Sequence, residues 1–291
     1  MRNISAVIIA ISAWAALAHA ANPPTLTWLP GSTVRVEQLI GDCDYAAQAK
    51  SGQCTPTTSR TMTRARVLGT DIGASFESQG RLIFLFGDTI GDGEYFAADT
   101  IATSTSTDAE DGLFLEFLTN SDGTPYFVRV PGVRMGAAEV PHAGIRLDSG
   151  TYVVIDTGKD RNLPDPGANA YSVLTRFDET TRRFTLLRTI SSMPAGRFVT
   201  TSLHAHGGDV LMYGLGAYRA SDVYLAIVPA ASFESGTGTR YFAGMVNGQP
   251  SWSAAESDAV PVVRDKTPPT IGYVSVTYSS ELGLWLMTYD G

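Results

Sequence analysis

Five times along the chain a short strand-like segment is followed by a tight turn and then a strongly apolar segment, and this repetition limits the fold more than any other feature. The pairs are Thr70 to Phe76 with Arg81 to Phe86, Thr100 to Thr105 with Leu113 to Leu118, Val140 to Leu147 with Thr151 to Asp156, Val199 to His204 with Val210 to Tyr213, and Gly272 to Tyr278 with Leu284 to Thr288. The turns carry Gln79-Gly80, Asp111-Gly112, Ser149-Gly150, Gly207-Gly208-Asp209 and Glu281-Leu282-Gly283, where glycine supplies the positive φ of a tight hairpin. The second segments, such as Leu82-Ile83-Phe84-Leu85-Phe86, are apolar on both faces. Strands buried on both sides read this way, and the inner strands of a propeller lie between neighbouring blades. Tyr171 to Phe177 with Arg183 to Ile190, Val223 to Val228 and Tyr241 to Met245 supply outer strands. The expected fold is all-β: a five-bladed β-propeller, its last blade incomplete.

The unit spacing is irregular, helical periodicity is weak and no long linker divides the chain, so residues 65–291 are expected to be one propeller domain. The fifth unit stops at Tyr289-Asp290-Gly291 without outer strands. Because an unpaired edge is normally avoided, a C-terminal truncation is expected, with completion of that blade by Leu26 to Leu39 as the alternative.

Arg2, the apolar run Ala6 to Leu17 and the A-x-A site Ala18-His19-Ala20 mark residues 1–20 as a signal peptide, and the chain is expected to be secreted or periplasmic, with no membrane segment after cleavage. Residues 21–64 form an N-terminal segment in which Cys43 and Cys54 are expected to pair as a structural disulfide of an exported chain. At 44% hydrophobic residues the chain can bury a sizeable core, and a formal charge of -8 argues against nucleic acid and anionic membranes as partners. A monomer is expected.

Residues at the starts of inner strands converge on one face of a propeller. Asp71, Asp99 and Glu139 begin three units, and Asp88 ends the first apolar strand, which a hairpin brings beside Asp71. Glycosidases use two carboxyl groups, one to protonate the leaving oxygen and one to activate water or attack, and clustering pushes their pKa values apart. Each acid also has a bland reading as a turn or capping residue. Asp71, Asp88 and Glu139 are therefore the catalytic candidates, and Asp99, His142, His204, Tyr218, Arg219 and Tyr273 the substrate-binding ones. Tyr95, Phe96 and Tyr213 are further aromatics near strand ends. His204 and His206 form H-x-H, a spacing that can bind zinc, but no third ligand is evident and no metal is expected. There is no G-x-S-x-G elbow, P-loop, H-E-x-x-H or dinucleotide fingerprint, and no cofactor is expected.

Gly69-Thr70-Asp71-Ile72-Gly73 followed by Gly80 to Thr89 resembles the opening of a bacterial propeller family first catalogued as a domain of unknown function and linked to endo-D-arabinanases. Tyr213 to Arg219 with Val223 to Ala226 is similar to its fourth blade, and Ile271 to Val276 with Leu284 to Tyr289 to its fifth. The resemblance covers most of residues 65–291 and implies a five-bladed propeller with its acid pair at Asp71 and Asp88. Family chains run on past the point where this one stops. The implied activity is a glycoside hydrolase, endo-acting on an arabinan-like polysaccharide. The alternatives are a non-catalytic carbohydrate-binding propeller and a metal-dependent hydrolase using His204 and His206.

Overall fold

The computed structural model describes residues 27, 29–91, 94–95, 98–108, 110, 112–135 and 138–290. The expected signal peptide lies outside them, as do Phe96, Asp111 and the side chain of Tyr95.

Two short helices, α1 (Tyr45–Ser51) and α2 (Thr61–Ala65), precede the strands. Asp44 caps α1 by accepting from Ala47 N at 2.8 Å, and Asp42 accepts from the Met62 and Thr63 amides of α2. The Cys43–Cys54 disulfide forms as expected and closes this segment on itself. The segment also seals the first sheet: Ser59 Oγ donates to Leu113 O and accepts from Leu115 N, while Leu39 and Ile40 pack against Phe84, Phe86 and Phe117. Residues 29–40 contribute no strand, so the alternative in which they complete the last blade is not what this structure shows.

The first sheet holds β1 (Gly69–Ser78), β2 (Arg81–Gly91), β3 (Glu94–Tyr95), β4 (Thr100–Ser104) and β5 (Glu116–Phe117), with β3 on the far part of β2. The second runs β6 (Val140–Leu147), β7 (Gly150–Thr157), β8 (Tyr171–Asp178) and β9 (Arg183–Ser192) in chain order. The third runs β10 (Thr200–His206), β11 (Asp209–Leu215), β12 (Tyr224–Pro229), β13 (Arg240–Val246) and β14 (Gln249–Ser253). The last is the antiparallel pair β15 (Val274–Ser279) and β16 (Leu284–Tyr289). The five sequence units thus fall into four sheets. Thr100 to Thr105 is not the inner strand of a second blade: it pairs with β2 as the third strand of the first sheet, and Leu113 to Leu118 shortens to β5.

Every hairpin at the head of a sheet is antiparallel and tight. Gln79-Gly80 and Gly207-Gly208 sit at positive φ in two-residue turns, the geometry whose twist matches the flanking strands. Asn247-Gly248 does the same between β13 and β14.

The leading strands stand side by side. The Val140 side chain lies against Gly87, whose Cβ position is also 3.3 Å from Asp71 O, while Gly144 faces the ring of Phe76, so β1 and β6 run the same way. His142 of β6 meets Thr201 of β10, and Ser202 of β10 accepts from Val276 N of β15. The starts of all four leading strands therefore share one end, and so do the ends of the strands they pair with. Between the second and third sheets the core is apolar: Tyr152, Val154, Leu174, Phe198 and Met212 join them.

Gly144 leaves room for the Phe76 ring of β1, because a Cβ there would sit 2.1 Å from it. Gly144→Ala is expected to cost about 1 to 3 kcal/mol through overpacking, read as a lower urea midpoint with an unchanged m value.

Candidate active site

The shared end of the sheets is lined by carboxyl groups, and the way the backbone places them is specific. Asp71 lies opposite Gly87 on β2, and the register slips on both sides of it. Thr70 faces Thr89 and Gly73 faces Phe86, which leaves Asp88 as the extra residue on β2 and Ile72 as the extra residue on β1. A bulge bends the strand and re-aims its side chains. Ile72 is driven to φ 46°, a rare conformation for a β-branched residue, and its amide donates to Asp71 Oδ1 at 2.9 Å. A bulge recurs at the matching place in the second sheet, where His142 is the extra residue between Pro141 and Ala143.

Two layers of acid result. Asp71 is exposed, and the Asp88 side chain keeps 20% of its surface open while its Oδ2 receives Arg161 Nη2 at 3.3 Å. Behind them Asp99, Glu139 and Asp156 are each 1% exposed. Asp99 sits just before β4, tied to β2 by the Thr89 amide donating to Ala98 O and by the buried Thr89–Thr100 hydroxyl pair at 2.8 Å. Asp156, next to last in β7, has Oδ1 accepting from Val140 N at 3.0 Å and Oδ2 on Lys159 Nζ at 2.8 Å. Glu139 pairs with Arg134 at 3.8 Å.

Burial, then the charges of Asp88, Asp156 and Glu139, push the Asp99 carboxyl up to about 8, against a partial pull from Arg129. Burial holds His142 below its ordinary range, offset in part by Asp156 and the Val140 carbonyl. Its Nδ1 lies 3.3 Å from that carbonyl, which can only accept, so Nδ1 carries the proton and Nε2 accepts from Thr201 Oγ1. His142 is thus a neutral strut between β6 and β10.

Tyr273, just before β15, faces the same site. Its hydroxyl is raised first by burial, then by Asp156, Tyr218, Asp71 and Asp290. The Tyr218 and Tyr273 rings are 5.3 Å apart, and the Arg219 guanidinium lies 5.0 Å from the Tyr218 ring. Asp290 holds Arg219 at 2.7 Å. These three residues form a half-open aromatic and cationic rim, Tyr218 being 49% exposed.

The structure brings together Asp71, Asp88, Asp99, Glu139, His142 and Tyr273, with Tyr218 and Arg219 at the rim. Glu139, expected as a third catalytic carboxylate, and Asp99 and His142, expected to touch substrate, are buried behind the accessible pair. His204 is not in the site: it lies three residues farther along β10 than Thr201, roughly 10 Å at strand rise, with its ring edge-on to Trp285. His206 packs on the same Trp285. Among the described residues no group of three or more His, Cys, Asp or Glu side chains is set to hold a metal ion. Tyr213 is core, 1% exposed.

Sequence reasoning missed Asp156, Lys159 and Arg161. A signal for Asp156 was present: Asp88-Thr89 and Asp156-Thr157 both come after the apolar run in the second strand of a sheet. Lys159 and Arg161 come from the loop after β7, which no local pattern ties to a site in the first sheet.

Among solved structures the chain is similar to a candidate hydrolase from Bacteroides ovatus, with 13% identity and a TM-score of 0.48, covering 75% of this chain and 63% of that one. It is also similar to a xylan β-1,4-xylosidase from Bacillus halodurans, at 12% identity and 0.42, covering 81% and 41% respectively. A β-xylosidase/α-arabinofuranosidase from a compost metagenome follows at 12% and 0.41, covering 79% and 72%. The chain thus spans less than two thirds of the first two, and likenesses this distant do not bear on its reaction. No curated protein matches it. A family model does match, over residues 57–291, which takes in all four sheets and every carboxyl group of the site, and the chain belongs to that family, a domain of unknown function designated DUF4185.

Proposed function

We propose that this chain is an exported glycoside hydrolase, endo-acting on an arabinan-like polysaccharide, with Asp71 and Asp88 as its acid/base pair on a propeller-type scaffold. The observation that carries the reading is the paired bulge. It sets two carboxylates on adjoining strands at the open end of the sheets, in front of a buried acidic layer. Hydrolysis of a glycosidic bond needs one carboxyl to give a proton and another to take one or to attack. Asp71 is exposed, whereas Asp88 is partly buried and held by Arg161, so the two carboxyls are differently surrounded. The Tyr218–Tyr273 rim offers ring faces for the apolar face of a sugar, and Arg219, positioned by Asp290, offers donors for its hydroxyls.

One observation favours a second reading, a carbohydrate-binding propeller without catalysis. Asp71 accepts from its own neighbour's amide and Asp88 is ion-paired, so both carry structural bonds.

Product release from a panel of polysaccharides that includes D-arabinan separates the two. Oligosaccharides released by the wild type and not by Asp71→Asn or Asp88→Asn support hydrolysis. Binding retained by all three proteins with no release from any polymer moves the assignment to the binding module. Removing the exposed ring in Tyr218→Ala is expected to raise KM by roughly five- to thirtyfold while kcat changes little, as for loss of a binding contact of about 1 to 2 kcal/mol.

A further inference from the structure

We propose that Asp99 holds a proton against Asp88 and so acts as a positioning residue, fixing the orientation and the charge of the Asp88 carboxylate. The proposal comes from counting partners. Of the three buried carboxyls, Asp156 has an amide and an ammonium, and Glu139 has the Arg134 guanidinium. Three buried carboxylate oxygens lack a hydrogen-bond partner among the described residues: Asp99 Oδ1; Asp88 Oδ1, whose sister oxygen meets Arg161; and Glu139 Oε1, which keeps the Arg134 guanidinium at 3.8 Å.

The segments that carry Asp88 and Asp99 are tied together by the Thr89–Ala98 backbone bond and the Thr89–Thr100 hydroxyl pair. A buried carboxylate oxygen without a donor, within reach of a second carboxylate's charge, is costly, and one proton kept on the pair removes a charge. Asp99 is the member that keeps it, because Asp88 has a cation and Asp99 has none in contact. Arg129, the cation whose field reaches Asp99, spends Nη1 on Val128 O and lies over the Phe127 ring. The groups facing Asp99 are Asp88 from β2, Glu139 from the approach to β6, Asp156 from β7 and Arg129 from the loop between β5 and β6. All but the last make ionised Asp99 worse. Burial and these charges agree with the geometry in raising Asp99 to about 8.

The catalytic consequence rests on the glycosidase reading above; the proton does not. It can be observed directly by labelling aspartate side chains with carbon-13 at Cγ and following the carboxyl resonances from about pH 3 to pH 10, a range spanning ordinary and strongly raised carboxyls. The wild type should show one aspartate that titrates near 8. That resonance should vanish in Asp99→Asn and move to lower pH in Asp88→Asn, where the neighbouring charge is gone. If every wild-type aspartate titrates in the acid range, or the high one survives in Asp99→Asn, the proposal is wrong. The wild type and Asp88→Asn decide the matter even if Asp99→Asn fails to fold. A readout of role follows where hydrolysis is measurable. Asp99→Asn, which keeps a donor in place, should retain activity within about threefold and lose the alkaline limb near 8, whereas Asp99→Leu should lose at least about tenfold in kcat. Equal loss in both variants would reduce Asp99 to a packing role. A protein with no hydrolytic activity but with the high-titrating Asp99 would overturn the function and leave the proton standing.

Discussion

Replacing Asp88 by Asn is expected to lower the rate of polysaccharide cleavage by about 10²- to 10⁴-fold, with Asp71→Asn falling in the same range, because each change removes one proton-transferring group and leaves substrate contacts in place. The size of the effect follows from position. Both residues lie at a bulge whose geometry depends on the backbone, and Asn preserves the side chain's shape. At Asp88 the amide oxygen can still accept from the Arg161 guanidinium, and the change removes one negative charge near Asp99. Asp88→Asn should therefore fold at least as well as the wild type while losing catalysis. That combination separates a reacting group from a structural one, since a structural aspartate loses stability first. Thermal unfolding beside product release gives the answer. An Asn variant that is less stable and still cleaves would remove Asp88 from the reacting pair.

Much of this site could be read from the chain. The alternation of turn glycines with apolar runs located the leading strand and its partner in all four sheets, because strands buried on both faces write an unbroken apolar pattern. Asp71 and Asp88 were reachable because a hairpin fixes which residues of two strands meet. Two things were not legible. Thr100 to Thr105 reads like the opening of a new blade, yet it is the third strand of the first sheet: a central strand is buried on both faces wherever it stands in the order, so periodicity cannot tell the two apart. The depth of each acid was equally hidden. Asp71 and Asp99 both stand at the start of a strand-like segment, but Asp71 is exposed and Asp99 is buried, a difference set by how the sheets pack and not by neighbours in sequence. The β13–β14 hairpin, by contrast, was announced by Asn247-Gly248 and overlooked.

The buried acid layer makes a second large effect expected, this one on stability. An unfolded chain ionises Asp99 near the ordinary aspartate value of 3.8, while the folded chain keeps the proton up to about 8. Between those values the folded state binds more protons than the unfolded state, so stability falls as pH rises through the window, by at most about 1.4 kcal/mol per pH unit from this one group. Below the window both states are protonated and nothing is lost; above it both are ionised and the full cost, on the order of several kcal/mol, is borne by the fold. Asn at this position is neutral throughout. The stability of Asp99→Asn relative to wild type should therefore climb with pH from about 4 to about 8 and then level off. Carboxylates far from the cluster whose partners hold them low, such as Asp42 at the start of α2 and Glu179 beside Arg81, lose stability in acid in both proteins and cancel in the difference. Urea midpoints for the two proteins across that range give the curve directly. Parallel profiles would mean that Asp99 ionises as readily in the fold as outside it, and that the buried layer carries its charge by other means than a held proton.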